Sequence, residues 1–360
     1  MRKTSEDSDS CNKTGSFNSP VTVCRLFGIL TNLRPVSGNA SWEAILVPNA
    51  EDGILSDLTK GVVLSVALCL VSIYIPIIGF FCALFIPLPI IFFHSKIGRK
   101  YAFFIFAATL AALLFVTQSI STDLFFFAGL MFLGFLLGEL FHYNLSVEKI
   151  ILYSSCGALV TGFICLTVCS TIRNVEIYAL ASEYVTENLK LAMGIYENMG
   201  VSEEHIQMFS DSLEQIRYVL VGIIPALMVA FALLVSWINV MISKPVLIKK
   251  NLHYPDLASL KLWKAPDYLV WVVIASSVTL FFPDKIFKIT GLNFLLVLMM
   301  IYFFQGIAIV SYYFEKKNVP RTLKVFLYSL IALQHFIFLF VIGLGFFDTW
   351  LNIRKQNKTQ

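Results

Sequence analysis

Polar side chains stranded inside oily stretches are where chemistry would reside in this chain. Gln305 lies within the uncharged run 293–314, with Gly306 directly after it and with Leu298, Tyr302 and Ile309 on its own helical face. An amide in hydrocarbon must find a partner, and a glycine lets a neighbouring backbone come close enough to supply one. His335 sits near the centre of the apolar run 325–347, with Tyr328 two turns below it on the same face. An imidazole there can accept and donate protons near neutral pH. Glu139 and His142 stand one turn apart at the end of another run and form a candidate proton-linked pair. Asn293 begins its run and reads as a helix cap. Intramembrane polar groups cost stability, so Gln305, Tyr302, His335, Tyr328 and Glu139 are the candidates for lining a solute site. Each also has a plainer reading: an amide or imidazole bonded to the next helix, or a carboxylate solvated at an interface.

Other chemistry is excluded by what the sequence lacks. It has no glycine-rich phosphate loop with lysine, no Gly-x-Ser-x-Gly elbow and no His-Glu-x-x-His pair. Cys69, Cys82, Cys156, Cys165 and Cys169 fall in apolar runs without a Cys-x-x-Cys spacing or a nearby histidine, which reads as inert thiols and not a zinc site. The expectation is a protein that is not an enzyme, uses no cofactor, and cannot by itself drive ATP-powered transport.

The elements that must position the candidates are membrane helices. Hydrophobic residues make up 58% of the chain and charged residues 14%, with 33 phenylalanines, and the mean hydropathy is +0.78. These values lie far outside the soluble range. The fold class is therefore all-α: a polytopic transmembrane helical bundle of about 8–9 spans, with one extramembrane amphipathic insert. Residues 1–55 read as a polar, disordered extension without a signal peptide, 56–350 as the membrane domain, and 351–360 as a polar tail. Spans are expected near 60–75, 78–93, 101–117, 124–140, 150–172, 218–242, 267–283, 291–313 and 325–347. Pro76, Gly79, Pro87 and Pro89 divide the first long run into two, with one span plus a re-entrant segment as the competing choice. Gly61, Ser65 and Cys69 give the first helix a small-residue edge, and Gly134 with Gly138 gives the fourth another. In the insert 173–217, Ile177, Leu180, Tyr184 and Leu191 recur at helical spacing, predicting two amphipathic helices broken near Gly200. They cap the bundle or act as a lid.

The net charge of +4 is distributed in short basic clusters at 94–100, 244–264 and 315–324. That pattern orients a membrane protein and argues against a nucleic-acid partner. Alternating spans put those clusters together on the cytoplasmic side of a plasma membrane and the insert outside. The same count leaves the basic tail, Arg354 and beyond, on the outer side, against the rule. Trp263, Trp271 and Trp350 read as anchors at the headgroup level.

Several phrases carry a family resemblance: Leu262-Trp263-Lys264-Ala265-Pro266 running to Val270-Trp271, Gly291-Leu292-Asn293 leading to Gln305-Gly306, Val319-Pro320-Arg321, and Gly343-Leu344-Gly345-Phe346-Phe347-Asp348 with Arg354. Together they resemble the YybS-like family of predicted bacterial membrane proteins, over about 60–355. That family brings no established active residues. The first half is similar in character to the substrate-binding subunits of energy-coupling-factor vitamin transporters, which borrow a separate ATPase. Two functions follow as expectations. One is a bundle that binds or translocates a small solute, as the membrane subunit of a transporter with an ATPase or other membrane subunit as partner. The alternative is a membrane scaffold or assembly factor for envelope or division machinery.

Overall fold

Proline sets the first breaks in the chain. In the computed structural model, which describes residues 49–118, 122–143, 145–198, 203–255, 262–351 and 353–354, helix α1 (Asn49–Tyr74) ends just before Pro76. Helix α2 (Pro76–Ala83) then starts with that proline in its first turn. Pro87 and Pro89 lack the N–H groups that would bond the carbonyls of Ala83 and Phe85, so the helix breaks before α3 (Pro87–Ile97). The loosened carbonyls are not left bare. Ile86 N–H reaches Ala83 at 3.3 Å, Leu88 N–H reaches Phe85 at 3.0 Å, and the Asn239 amide donates to Leu84 at 2.8 Å. In lipid such repair is obligatory, since no water can do it.

Helices α4 (Arg99–Thr117), α5 (Thr122–Leu140) and α6 (Val147–Arg173) follow with short turns. Gly98 at φ 94° makes the sharp turn into α4, a backbone state that other residues rarely adopt. Both small-residue edges face inward. Ser65 and Cys69 are wholly buried, and a side chain at Gly61 would strike Ile105 and Phe93. A Cβ at Gly134 would lie 2.6 Å from the Pro87 carbonyl oxygen, and one at Gly138 2.8 Å from the His94 ring. Close approach of α5 to α3 therefore depends on those glycines.

The insert forms α7 (Ile177–Asn198) and the start of α8 (Glu203–Lys249), the helical pair expected, with Gly200 itself outside the described residues. No boundary exists near residue 217, because α8 runs unbroken from the insert into the bundle. Helices α9 (Leu269–Thr279), α10 (Lys285–Lys316), α11 (Arg321–Leu333) and α12 (His335–Leu351) complete the chain. Ile86, Ile90, Leu133, Leu137, Phe141, Ile150 and Val235 form one core. Tyr302, Phe303, Phe304, Ile307, Val341 and Ile342 form a second. Helix α8 joins the two, with Trp237 stacked on Phe304 at 5.0 Å.

Seven helices are long and apolar enough to cross a membrane among the described residues. Contacts give their directions. Tyr218 meets Lys285, Gly222 meets Ile289 and Trp237 meets Phe304, so α8 and α10 run parallel. The chain must therefore return between them, and it does so along α9, whose 11 residues rise only about 16 Å. The expected span 325–347 is corrected. It is a bent pair, α11 and α12, turned by 100° at Gln334. Its contacts with α10 fall on the second half of that helix, from Tyr302 to Phe314. The Tyr313 hydroxyl bonds the Ile353 carbonyl at 2.8 Å. The pair thus enters and leaves at one end, as a re-entrant hairpin, and Arg354 joins the end that carries Lys316.

Candidate functional site

Gln305 lies below Lys316 on α10 by about 16 Å, well inside the bundle. Its amide is engaged at both ends. Oε1 accepts from the Ala265 N–H at 3.2 Å and Nε2 donates to Asp348 Oδ2 at 3.1 Å. Asp348 also accepts from the Arg354 guanidinium at 2.8 Å and, through Oδ1, from the Ile353 N–H at 2.9 Å. Arg354 donates onward to the Trp263 carbonyl at 2.8 Å. All three side chains are buried, with relative exposures of 0% for Gln305, 2% for Asp348 and 5% for Arg354. The result is a clasp: a carboxylate held by three donors, tying the segments 263–265 and 353–354 to α10 and α12.

Small residues let the clasp close. Beside Gln305, a side chain on Gly306 would collide with the Val341 backbone, and one on Gly345 with the Tyr302 carbonyl. The two helices meet backbone to backbone, bringing Asp348 within reach of the amide. A buried ion pair needs its remaining lone pairs and protons satisfied, and here the backbone groups of Ile353 and Trp263 do that.

The other candidates do not converge on this point. Tyr302, one turn before Gln305, is 2% exposed, with its ring edge on Phe346 at 5.2 Å. Its hydroxyl is buried and has no hydrogen-bond partner among the described residues. His335 is exposed at the start of α12, and Tyr328 packs against Phe314 at 5.3 Å on α11. The single face expected to carry both does not exist, because the bend at Gln334 separates them. Glu139 lies at the end of α5. It faces His94 Nε2 at 3.2 Å and Arg99 at 3.3 Å, whereas the His142 Nδ1 sits 3.0 Å from the Gly138 carbonyl. The expected Glu139–His142 pair is thus replaced by a pairing across helices.

Asn293 is not the cap of its helix. Asp284 caps α10 by accepting from the Ile286 N–H at 2.9 Å. Two turns in, Asn293 accepts from the Ala226 N–H at 3.0 Å and donates to the Gly222 carbonyl at 2.8 Å, splinting α8 beside Pro225. Trp263 enters the clasp through its carbonyl, while Trp271 and Trp350 remain largely exposed. Sequence reasoning missed Asp348 and Arg354 as partners, though both stand in the phrases quoted above. It also missed His94, hidden in a short basic connector. A water-sized cavity of about 30 Å³, lined by Ile73, Leu113, Thr117, Asp123, Leu124 and Phe127, lies at the other end of the bundle from the clasp. Among the described residues no group of His, Cys, Asp and Glu is placed to hold a metal ion.

The phrases that carried the resemblance, Trp263 to Ala265, Gln305-Gly306, Gly345 to Asp348 and Arg354, therefore meet at one place. Comparison with known proteins agrees in extent. The chain is 22% identical over 299 residues to the uncharacterised protein YybS of Bacillus subtilis (strain 168), covering 80% of this chain and 93% of that one. No solved structure matches it. The likeness of the first half to energy-coupling-factor subunits is not shown by these relatives. The model of the predicted membrane protein family DUF2232 matches residues 63–349, and the chain belongs to that family.

Proposed function

We propose that this chain is a membrane-embedded assembly subunit, without enzymatic activity, that presents its clasped end to another membrane protein. The observation that carries the reading is the engagement of Gln305, Asp348 and Arg354 by one another and by backbone groups. A solute could recruit them only by breaking a buried ion pair, at a cost of several kcal/mol, roughly 3–5. The partner class is a subunit of envelope or division machinery. Charge supports an orientation in a plasma membrane. Lys96, Arg99, Lys100, Lys249, Lys250, Lys316, Lys317 and Arg321 share one end, whereas the other mixes Glu176, Glu183, Glu187 and Glu214 with Arg173, Lys190, Arg217, Lys285 and Lys288. Basic residues stay cytoplasmic, which puts the clasped end inside and α7 outside.

The test is native mass spectrometry of the protein extracted in lipid nanodiscs from its own membranes. A fixed stoichiometric complex with another membrane protein is the expected result. A chain that is always single, and whose stability rises with a small solute, would overturn the reading. Cysteines placed at Lys100 and Glu176 should label from opposite sides of sealed vesicles.

One observation favours a second reading, solute binding or translocation as the membrane subunit of a transporter served by a separate ATPase. The Tyr302 hydroxyl is a buried polar group with no hydrogen-bond partner among the described residues. A thermal-shift screen of vitamins and metabolites checks it: a ligand that stabilises the native chain but not Tyr302→Phe supports solute binding, and no stabilising ligand counts against it.

A further inference from the structure

Away from the clasp, the turn between α11 and α12 carries two polar side chains at mid-membrane depth. Phe338 packs on Phe303 at 4.6 Å, Val341 meets Gly306, and Tyr313 bonds the Ile353 carbonyl, so α12 runs parallel to α10. His335, one turn before Phe338, therefore stands about level with Met300. Helix α10 is uncharged from Ile289 to Phe314, and that level is roughly 20 Å from the lysines at either end. The turn thus reaches the middle of the hydrocarbon. Gln334 and His335 are both exposed there, between Leu333 at 68% and Phe336 at 79%. The other amides inside the apolar runs behave differently. Asn239 donates to the Leu84 carbonyl, Asn293 to the Gly222 carbonyl and Gln305 to Asp348, each across to another element. Outward-facing hydroxyls satisfy themselves, as Thr167 and Thr171 do by bonding the carbonyl four residues earlier at 2.9 Å. Neither Gln334 nor His335 makes a side-chain hydrogen bond among the described residues.

We propose that this turn is a contact between two copies of the chain, in which Gln334 and His335 of one face the same residues of the other. An amide and an imidazole set in hydrocarbon each need a partner, and no water is present there to serve. Leu333, Phe336 and Phe340, all largely exposed, surround the pair with apolar surface that suits lipid or another helix. The partner must therefore offer hydrogen-bonding groups at this one depth. A second copy inserted the same way, turned about a two-fold axis along the membrane normal, brings an identical amide to an identical depth. A carboxamide both donates and accepts, as does a neutral imidazole, so the turn is complementary to itself. The contact also leaves the clasp alone, because Val341, Gly345 and Asp348 are buried on the opposite side of α12, against α10. Pairing and the integrity of the clasp can thus be read separately.

Single-molecule photobleaching tests the contact by counting copies of the purified full chain, labelled at its N-terminal amine, in vesicles of increasing chain-to-lipid ratio. The native chain should pair. Gln334→Leu combined with His335→Leu should weaken pairing about tenfold, since each interhelical hydrogen bond in a membrane is modest and the two-fold axis doubles the loss. Both side chains face outward, so the double variant should keep the native tryptophan fluorescence. Should it fail to fold, Gln334→Leu alone should weaken pairing at least threefold. A native chain that stays single at every ratio overturns the proposal, even if another membrane protein is found against this turn. So does pairing that is unchanged in whichever variant folds.

Discussion

Replacing the Asp348–Arg354 pair one residue at a time and then together tests the clasp most severely. Asp348→Leu removes the carboxylate that faces the buried guanidinium of Arg354, which keeps the Trp263 carbonyl among its partners, at a cost of about 3–5 kcal/mol. Arg354→Met leaves a buried carboxylate with two neutral donors, the Gln305 amide and the Ile353 N–H, and costs a similar amount, about 3–5 kcal/mol. If the residues acted independently, the double variant would lose roughly 6–10 kcal/mol, enough to unfold most domains. The clasp predicts much less. With both charges gone, the groups of the clasp left over, the Gln305 amide, the Ile353 N–H and the Trp263 carbonyl, are neutral. Unsatisfied neutral groups cost about 1–3 kcal/mol each, and partial rearrangement lowers that, so the double variant should resemble either single one. The coupling is then at least about 3 kcal/mol. Equilibrium unfolding in mixed micelles, followed by tryptophan fluorescence, measures all three variants. Additive losses would mean that the two charges do not share a buried site, and the account of this end of the protein would be wrong.

The clasp's geometry makes a second prediction. Gly306→Ala and Gly345→Ala drive a methyl into backbone of the facing helix and should each cost about 2–3 kcal/mol, whereas Gly343→Ala, with open space around it, should not destabilise and should gain up to about 1 kcal/mol from helix propensity. Asn293→Leu removes the amide splint between α10 and α8 and should destabilise by about 2–3 kcal/mol, measured in the same assay, because the Gly222 carbonyl and Ala226 N–H lose their side-chain partners. Equal unfolding of the native chain and Asn293→Leu would refute the splint.

What was legible in advance was what depends on counting along the chain. Most spans, the breaks at Pro76 and Pro87, the small-residue edges and the paired helices of the insert follow from local composition, since the bilayer demands long apolar helices with internally bonded backbones. Gln305 was legible as a buried amide for the same reason. Its partners were not. Asp348 sits beyond the apolar stretch it serves and Arg354 in a polar tail, so each reads as a solvated charge until α12 folds back to bring them together. His335 failed in the opposite direction: an imidazole at the centre of an apolar run reads as buried, but the run bends there and leaves it exposed.

The sequence by itself determined that this is a helical membrane protein with short basic clusters between its apolar runs, because hydropathy and charge are sums over neighbours. Only tertiary structure decided that the last apolar run turns back instead of crossing, and that Gln305, Asp348, Arg354 and the carbonyl of Trp263 share one buried site. The bend at Gln334 and the glycine-lined contact of α10 with α12 bring together residues that lie far apart along the chain, and no periodicity records such an approach.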